Sequence, residues 1–540
     1  MKTKVVVVFG GVYSSLGKGI VASSIARILT EFNYKVSVMK FDPYLNVDPG
    51  TLSPLQHGEV FVTQDGGETD LDLGSYERFL GRKITKLSTV TSGKIYKEVI
   101  DREREGGYNG KTVQIIPHVT DHIKSKIYKI IEAESPDFLI IEVGGTVGDI
   151  ESIPFVETLA QFRGEYGRDE VLFILCSPLI LVQTSGELKT KPTQHAVKTI
   201  GNMGIVPAML VLRSDVPISK STIEKVSSLC HIPFENIFKS MDLPSVYYLP
   251  TELFKQGILD SILKYFGLTK PSGSLTKWNN YIRKIKNIQS SIKICMVGKY
   301  NELHDSYYSL VESLKLAAWE LGKNINIEWI NSENLEKPNA NLKSTFKNIH
   351  GIIIPGGFGS RGIEGKIKAV KYARENNIPY LGICYGMQIA TIEFARNVLG
   401  LANANTTEID PNTEHKIFHY IDGRMRLGEQ QCNITKKQSL AYQIYNTEQI
   451  FQRHRHRWEF NNTYLPIFEK SGYSFTAFSN DNQKTVEMIE IPSHPFFIGV
   501  QFHPEFNSWP GKPDPIFLGF ISAALKDQRK NLKKHAIKDK

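Results

Sequence analysis

Short, wholly apolar runs alternate with helix-length stretches through both halves of the chain, and this alternation constrains the fold more than any other feature. The first half carries VVVVF, KVSVMKF, DFLIIEVGG, VLFILC and AMLVLR, and the second carries SIKICMVGKY, HGIIIPGG, IPYLGIC and FFIGVQF. Short apolar strands flanked by helices are typical of parallel sheets that are covered on both faces. We therefore predict an α/β protein with two doubly wound parallel-sheet domains.

The domain limits follow from length and from one weak stretch. A chain of 540 residues is too long for one ordinary core. Between the two sets of apolar runs lies GLTKPSGSLTKWNNYIRKIKNIQSS, which joins a Pro-Ser-Gly turn to a basic amphipathic segment. We predict a first domain over residues 1–267, a linker over 268–291, a second domain over 292–525 and a basic tail over 526–540.

The net charge and the number of cysteines limit which partners and which cellular compartment we expect. The net charge is +9, but the tail after Leu525 holds seven Lys or Arg and two Asp, so it alone supplies +5. We expect this tail to be a solvated, frayed terminus rather than a phosphate-binding arm. Five scattered cysteines form neither a disulfide framework nor a zinc pattern. The apolar start is too short for a signal peptide or a membrane span. We expect a cytoplasmic protein with neither a nucleic acid nor a membrane as partner.

A glycine-rich loop follows the first apolar run. GGVYSSLGKGI (Gly10 to Ile20) lies between a predicted strand and a predicted helix, where backbone N–H groups bind an anion. Lys18 is placed to reach outer phosphates as a mobile charge. In the usual loop a Ser or Thr follows Gly-Lys and its hydroxyl binds magnesium, but here Gly19 follows. The metal therefore needs other ligands.

Three charged side chains at predicted strand ends favour a phosphate site over a simple tight turn. Asp72 lies in ETDLDLG, and Glu142 ends the run FLIIE. Carboxylates are suitable ligands for Mg²⁺, which often takes only one or two of them. Lys40, at the end of KVSVMK, adds positive charge for a transferring phosphoryl group.

A cysteine in a Gly-x-Cys-x-Gly turn is the second chemical signature. Cys384 lies where IPYLGIC passes into YGMQIATIEFA, the strand–turn–helix order of a nucleophile elbow with sulfur in place of oxygen. His503 and Glu505, in QFHPE, supply a base and a carboxylate that orients it. Alternation along an extended segment is expected to put both side chains on the same side. The cysteines at 176, 230, 295 and 432 are expected to be small core residues.

Several long blocks occur in one order: GGVYSSLGKGI, MKFDPYLNVDPGTLSPLQHGEVFVTQDGGETDLDLGSYERF, EVGGTVGDIES and TKPTQH. Together they resemble the CTP synthase family, and the Cys384 region resembles class I glutamine amidotransferase domains. The resemblance implies a P-loop-like synthetase domain that joins UTP, ATP and ammonia to give CTP, ADP and phosphate. It also implies a second domain that releases the ammonia from L-glutamine.

The resemblance further implies the residues at each subsite. ATP would contact Ser15, Leu16, Gly17, Lys18, Gly19, Ile20, Asp72 and Asp242. UTP or CTP would contact Ser14, Asp149, Ile150, Glu151, Lys189, Thr190, Lys191, Pro192, Thr193, Gln194 and Lys225. Glutamine would contact Gly357, Tyr385, Gly386, Met387, Gln388, Glu408 and Arg457. Magnesium would lie on Asp72 and Glu142. The catalytic residues would be Cys384, His503 and Glu505, with Lys18 and Lys40 for phosphoryl transfer.

Regulation and assembly are implied in the same way: GTP as an allosteric activator, CTP as a feedback inhibitor, and a homotetramer that can form filaments. Two residues depart from the family's pattern. Met241 stands before Asp242 where the family often has lysine, and Tyr385 stands where it commonly has leucine. A backbone contact survives either departure, but a side-chain contact does not. We therefore expect Met241 to alter ATP affinity and Tyr385 to alter glutamine access or coupling, with the oxyanion hole retained.

Three other functions fit the sequence less well. A related amidase acting on a large carboxylate would lack the TKPTQH and LSPLQHGEVF blocks, which are present. A non-catalytic assembly protein would carry a damaged catalytic set, whereas this set is complete. An NTPase that binds RNA or DNA has only RHRHRW as a basic stretch interleaved with an aromatic residue.

Overall fold

The computed structural model describes residues 2–184, 186–299, 304–421, 423, 425–482 and 484–538. It divides into two compact units. Unit 1 comprises Met1–Thr51 and Asp72–Arg283, and unit 2 comprises Leu52–Leu71 and Lys284–Lys540. The limits predicted from the sequence did not assign residues 52–71 to the second domain.

The strands are numbered along the chain. The first eleven are β1 (Lys4–Gly10), β2 (Val36–Asp42), β3 (Phe61–Val62), β4 (Glu68–Thr69), β5 (Thr89–Thr91), β6 (Phe138–Val143), β7 (Val171–Pro178), β8 (Ile180–Val182), β9 (Glu187–Lys189), β10 (Met209–Ser214) and β11 (Ile237–Met241). The others are β12 (Ser291–Gly298), β13 (Asn324–Asn331), β14 (Ile352–Ile354), β15 (Tyr380–Ile383), β16 (Ala404–Thr406), β17 (His415–Tyr420), β18 (Arg426–Ile434), β19 (Gln449–His456), β20 (Trp458–Phe460), β21 (Ser474–Ser479), β22 (Val486–Glu490) and β23 (Phe497–Val500).

The helices are numbered in the same way. The first eleven are α1 (Lys18–Glu31), α2 (Pro54–His57), α3 (Asp72–Leu80), α4 (Ser92–Arg104), α5 (Thr120–Glu134), α6 (Ile153–Tyr166), α7 (Lys191–Asn202), α8 (Lys220–Cys230), α9 (Leu249–Lys255), α10 (Ile258–Tyr265) and α11 (Thr276–Lys286). The others are α12 (Tyr308–Glu320), α13 (Ser332–Glu336), α14 (Leu342–Thr345), α15 (Ile363–Glu375), α16 (Tyr385–Asn397), α17 (Leu440–Tyr445), α18 (Leu465–Lys470) and α19 (Pro515–Lys538).

Unit 1 is built on a parallel sheet. Within the described residues the sheet has seven strands in the order β11-β10-β7-β1-β6-β2-β5, and each pairing is parallel. Alternate residues of β1 (Val5, Val7 and Phe9) join a core formed with α4 to α8, while α1 packs with α3 and α9. The chain thus runs from the central β1 to strands on either side of it. In such sheets ligands bind outside the carboxyl ends of the strands.

Unit 2 is built on a mixed sheet. Over the described residues its order is β13-β12-β14-β15-β23-β22-β21-β18-β19. The strands from β13 to β23 in this order pair in parallel, and those from β23 to β19 pair antiparallel. One apolar core lies under α15 and α16, and another under α12 and α19. The α/β prediction is confirmed for both units, but the second sheet is parallel only in the half that carries Cys384.

Both segments expected to be irregular contain helix: Thr276–Lys286 of the predicted linker form α11, and most of the predicted tail continues α19. In the predicted linker, Trp278 of α11 is buried in unit 1, where its indole lies 5.9 Å from the ring of Phe79 and donates a 3.0 Å hydrogen bond to the carbonyl of Tyr247. The segment after Leu525, expected to be frayed, continues α19 to Lys538; the last two residues lie outside the described residues. Among the helices described here, none is long and apolar enough to cross a membrane.

Candidate active sites

The glycine-rich loop of unit 1 lies where the sequence predicts it, between β1 and α1. Gly17 precedes the helix in a left-handed conformation (φ 79°), which an L side chain rarely adopts, and turns the chain so that α1 begins at Lys18. The Lys18 ammonium donates to the carbonyl of Gly145, just after β6. Of the other residues implied for ATP, Ser15 is exposed and Leu16 is buried. The free N–H groups at the start of α1 suit an anion.

Gly19 explains why this loop lacks the usual hydroxyl. A Cβ at Gly19 would lie 3.1 Å from Oδ1 of Asp72 and 3.1 Å from Oε2 of Glu142. The two carboxylates therefore converge on the space next to α1 that a serine or threonine side chain would fill. Two hard oxygen ligands beside a phosphate loop fit Mg²⁺, whose remaining positions go to water and phosphate.

Each of these carboxylates has a polar or charged side chain as its partner. Lys40 forms an ion pair with Asp72 and lies 3.4 Å from Oδ1 of Asp42. The Tyr76 hydroxyl donates to Glu142. Burial and the charge of Asp72 raise the pKa of the Glu142 carboxyl, against the opposing effect of Lys40. A cation bound between Asp72 and Glu142 would relieve that repulsion.

The residues implied for UTP or CTP lie on two segments that pack against the loop. A Cβ at Gly11 would lie 2.5 Å from Cβ of Ala196, and one at Gly148 would lie 3.1 Å from Thr199, so α7 contacts both the phosphate loop and the turn after β6. At that turn Asp149 accepts a 3.1 Å hydrogen bond from the N–H of Thr146. The helix that begins with Lys191 to Gln194 thus packs, through Ala196 and Thr199, against the phosphate loop and against Gly148, which precedes residues 149–151.

The remaining residues implied for nucleotide binding lie at three other places in unit 1. Lys189 and Lys225 are both ion-paired with Glu187, at 2.5 and 3.6 Å. Ser14 is exposed on the phosphate loop. Asp242 follows β11, is exposed and is paired with Arg213. No hydrogen bond or ion pair among the described residues joins Asp242 to the phosphate loop.

In unit 2, the backbone around Cys384 has the geometry of a nucleophile elbow. Cys384 has φ 49° and ψ −103°, a strained conformation for a residue other than glycine, and α16 begins at the next residue. A Cβ at Gly382 would lie 2.6 Å from the carbonyl carbon of Gly386, and one at Gly386 would lie 2.1 Å from the carbonyl oxygen of Ile354. Both glycines are therefore required by close backbone approach, and the turn places the buried Cys384 directly after β15.

His503 and Glu505 lie beside this thiol. Nδ1 of His503 is 2.7 Å from Oε1 of Glu505. A Cβ at Gly356 would lie 2.9 Å from Cε1 of His503 and 3.8 Å from Cβ of Cys384, so both side chains flank that glycine. Burial opposes protonation, but the charges of Glu505 and Cys384 raise the pKa of His503 to about 10. This arrangement can move a proton to and from sulfur.

The predicted reason for the His503–Glu505 pairing is wrong. The two side chains do not alternate along a strand, because β23 ends at Val500 and a 3₁₀ turn covers Pro504–Asn507. His503 precedes that turn and Glu505 lies inside it. A tight turn, rather than the two-residue strand repeat, brings the base to its carboxylate.

Several of the residues implied for glutamine lie near the elbow, and Arg457 is not among those that the contacts place there. Gly357 lies against Tyr385, since its Cβ would be 3.9 Å from the tyrosine ring. The Tyr385 hydroxyl donates a 2.8 Å hydrogen bond to the carbonyl of Gly359, and Glu408 accepts one of 2.8 Å from the N–H of the same glycine. Burial raises the pKa of Glu408. Arg457 is exposed, in the turn between β19 and β20.

Three side chains near these sites were not singled out from the sequence. Gln501 donates to Sγ of Cys384 at 3.5 Å and also lies 3.3 Å from Nε2 of Gln388 in α16. Tyr76 contacts Glu142, as described above. Phe61 of β3 packs edge-on against Phe506, with centroids 4.9 Å apart. All three stand in blocks noted from the sequence: Gln501 in QFHPE, and Phe61 and Tyr76 in the long block that ends in GSYERF.

Phe61 belongs to unit 2 because it lies in the segment 52–71. Phe506 in turn stacks on the His503 ring, with centroids 5.4 Å apart and an interplanar angle of 17°. Arg453 is fully buried, lies 5.2 Å from the Phe61 ring and donates a 2.9 Å hydrogen bond to the carbonyl of Val62. Glu68 pairs with Arg455 at 2.7 Å. The basic RHRHRW stretch is thus largely used in packing within unit 2.

Comparison with known proteins agrees with this division of sites. The family described as CTP synthase N-terminus matches residues 4–268, and glutamine amidotransferase class-I matches residues 302–523. The CTP synthase of Acaryochloris marina is 48% identical over 99% of this chain and 97% of its own length. The chain belongs to the CTP synthase family.

Other members and one solved structure extend the comparison. The CTP synthase of Bacillus subtilis is 46% identical over 97% of this chain and 99% of its own length. The structure of the Trypanosoma brucei CTPS glutaminase domain with bound acivicin is 38% identical, covers 44% of this chain and 94% of that chain, and has a TM-score of 0.43. Membership of the family therefore rests on the sequence identities over nearly the whole chain.

Proposed function

We propose that this protein makes CTP from UTP, with ATP as the energy source and L-glutamine as the ammonia donor. The observation that carries the proposal is the match to CTP synthases over nearly the whole chain, with the synthetase and glutamine amidotransferase families on its two halves. The C4 oxygen of UTP attacks the γ-phosphoryl group of ATP and ADP leaves. Ammonia then adds at C4 and phosphate departs, which leaves CTP.

Unit 2 supplies the ammonia. Sγ of Cys384 attacks the side-chain amide carbon of glutamine, and His503 takes the thiol proton and gives it to the departing ammonia. Water then hydrolyses the glutamyl thioester to glutamate. Backbone N–H groups of Gly357 and Tyr385 stabilise the oxyanion, while Gly386, Met387, Gln388, Glu408 and Arg457 form the rest of the glutamine site. The 2.7 Å contact of His503 with Glu505 supports this assignment.

Unit 1 performs the phosphoryl transfer. Residues 15–20 hold the phosphates of ATP, with Asp242 at the nucleoside, and Lys18 and Lys40 stabilise charge on the transferred group. Asp72 and Glu142 hold Mg²⁺, as their convergence on Gly19 supports. Mg²⁺ when bound supplies Lewis-acid stabilisation of the same charge. UTP and the inhibitor CTP contact Ser14, residues 149–151, residues 189–194 and Lys225.

The family relationship supports a further set of properties for this chain. These are activation of the glutaminase reaction by GTP, feedback inhibition by CTP, assembly into a homotetramer that can form filaments, and residence in the cytoplasm.

The test is CTP formation from UTP, ATP and Mg²⁺, followed in parallel with glutamine plus GTP and with ammonium chloride. CTP from both nitrogen sources is expected. CTP from ammonium chloride alone would retain the synthetase assignment and reject the glutaminase one. No CTP from either source would reject UTP, ATP and ammonia as the substrates of unit 1.

A further inference from the structure

A buried glutamine side chain of unit 2 lies against the thiol. Gln501 directly follows β23 and is fully buried. Its side-chain nitrogen donates a hydrogen bond of 3.5 Å to Sγ of Cys384, and this sulfur is the one acceptor that the nitrogen has among the residues that the structure describes. A neutral thiol is a weak acceptor, whereas a thiolate carries a full charge. The contact is therefore strongest when Cys384 has lost its proton.

Neighbouring hydrogen bonds determine which end of the Gln501 side chain faces the sulfur. The side-chain nitrogen of Gln388, in α16, donates to the carbonyl of Trp458 at 3.4 Å and to Oε1 of Gln501 at 3.3 Å. A backbone carbonyl only accepts, so the Gln388 amide must present its N–H groups on this side. Oε1 of Gln501 is thereby occupied, and the N–H groups of Gln501 are turned toward Cys384. The backbone N–H of Gln501 also donates to the carbonyl of Glu487 at 2.9 Å.

The base beside the same sulfur changes its charge during the reaction, whereas Gln501 does not. Burial opposes protonation of His503, but the charges of Glu505 and Cys384 raise its pKa to about 10. An imidazolium therefore accompanies the thiolate before glutamine binds, and it loses its proton when it protonates the departing ammonia. The amide N–H of Gln501 does not titrate, so it remains a donor at every stage at which the sulfur is charged.

We propose that Gln501 is a further catalytic residue of unit 2, whose side-chain N–H stabilises the Cys384 thiolate both as nucleophile and as leaving group. The inference rests on the proposed glutaminase function of this unit. In the first step an electron pair of Sγ forms the bond to the amide carbon of glutamine. In the second step water attacks the thioester, the C–S bond breaks and its electron pair returns to Sγ, next to the N–H of Gln501. Gln388 acts through Gln501, as its positioning residue.

The test measures how the reactivity of Cys384 depends on pH in the full-length protein. Iodoacetamide alkylates the thiolate form of cysteine, and the mass of the peptide that carries Cys384 gives the rate. The wild type is compared with Gln501→Met, which keeps the side-chain length but lacks the donor, and with the control Gln443→Met, whose glutamine is exposed in α17.

For Gln501→Met we expect the midpoint of the pH profile to move upward by about one pH unit, because the thiolate loses a hydrogen bond. The rate should therefore fall about 10-fold at acidic pH and converge with that of the wild type at alkaline pH. Gln443→Met should follow the wild type throughout. A rate lowered by the same factor at every pH would overturn the proposal, because disturbed packing around Cys384 gives that result. An unchanged profile would overturn it as well.

Thermal unfolding checks the fold of each variant. Should Gln501→Met fail to fold, Gln501→Asn decides, because its shorter amide remains polar but does not reach Sγ. The same upward move of the midpoint is expected, and an unchanged midpoint would overturn the proposal. Alkylation requires no turnover of glutamine. CTP formation by the wild type from glutamine and from ammonium chloride therefore separates failure of this inference from failure of the proposed function.

Discussion

The phosphate site of unit 1 and the thiol site of unit 2 are held by different parts of the chain. In unit 1, charged side chains hold one another: Lys40 pairs with Asp72, and Tyr76 contacts Glu142. In unit 2, the main chain fixes the nucleophile through a strained Cys384 and two glycines that admit no side chain. Charge pairs can be exchanged for metal and phosphate when ligands bind, whereas a backbone-held thiol is positioned before substrate arrives.

Removing the thiol tests most directly whether the two sites act separately. Cys384→Ala is expected to reduce glutamine-dependent CTP formation at least about 10⁴-fold, because no other group can form the thioester. CTP formation from ammonium chloride is expected to persist, since that chemistry belongs to unit 1. Both rates are measured on the same preparation. Loss of both activities in a folded variant would show that the two sites do not act as separate chemical centres.

Removing the carboxylate beside His503 tests how the base is held. Glu505→Gln is expected to lower glutamine-dependent CTP formation about 10³-fold, because the imidazole loses its orienting charge. It also lowers the pKa of His503, which Glu505 helps to raise to about 10. Cys384→Ser, which removes the other charge, offers a second measure of the same coupling.

The pH dependence gives this variant an independent readout. A histidine whose pKa is raised in the folded state contributes stability that is fully present below its unfolded pKa of about 6.5 and is lost as pH rises toward 10. The difference in Tm between wild type and Glu505→Gln should therefore be largest below about pH 6.5 and vanish near pH 10. A difference that grows with pH would mean that Glu505 does not stabilise the imidazolium.

A change in the phosphate loop is expected to impair CTP formation from both nitrogen sources, whereas loss of the thiol impairs only one. Lys18→Ala is expected to lower CTP formation about 10²-fold to 10³-fold with either nitrogen source, because charge on the transferred phosphoryl group loses a stabilising ammonium. Lys97→Ala, which removes an exposed lysine of α4, serves as the control. Initial rates are measured with glutamine and with ammonium chloride. A Lys18→Ala protein that still turned over ammonia would show that this loop does not hold the reacting phosphates.

Local sequence patterns predicted the parts of both sites that depend on local structure. The apolar runs before Gly10 and Cys384 are strands, and the glycine turns after them place Lys18 and Cys384 at helix starts. Strand length, glycine spacing and the following helix are all visible within about a dozen residues. Antiparallel β18 and β19 were not predicted, because β18 is mostly polar and half-buried and β19 carries polar and charged residues at buried positions.

Contacts between residues far apart in the chain determine the features that the sequence did not predict. Arg453 and His454 read as a basic surface stretch, yet both are fully buried, since Arg453 binds Val62 and His454 lies 3.7 Å from Glu487. Nothing local indicates that a partner for Arg453 lies nearly four hundred residues away in the chain. The inclusion of residues 52–71 in unit 2 has the same cause. Their short strands β3 and β4 have no strong pattern of their own.

The segment 52–71 supports the thiol site, although in the chain it lies between the two stretches that form unit 1. Phe61→Ala is expected to lower glutamine-dependent CTP formation only a few-fold, to at most about 10-fold, because Phe506 and His503 lose packing but keep their hydrogen bonds. Phe61→Leu, which fills more of the space, should retain more activity than Phe61→Ala.

The readout that separates packing from catalysis is the ratio of the two reactions. Phe61 packs against Phe506 and Arg453, both within unit 2, so the rate with ammonium chloride should stay close to that of the wild type. Thermal unfolding should show a loss of about 3–5 kcal/mol for Phe61→Ala, as for other large core truncations, and a smaller loss for Phe61→Leu. A variant with full glutaminase activity but reduced stability would limit Phe61 to a packing role. Then the position of His503 would depend only on Glu505 and on the 3₁₀ turn that holds it.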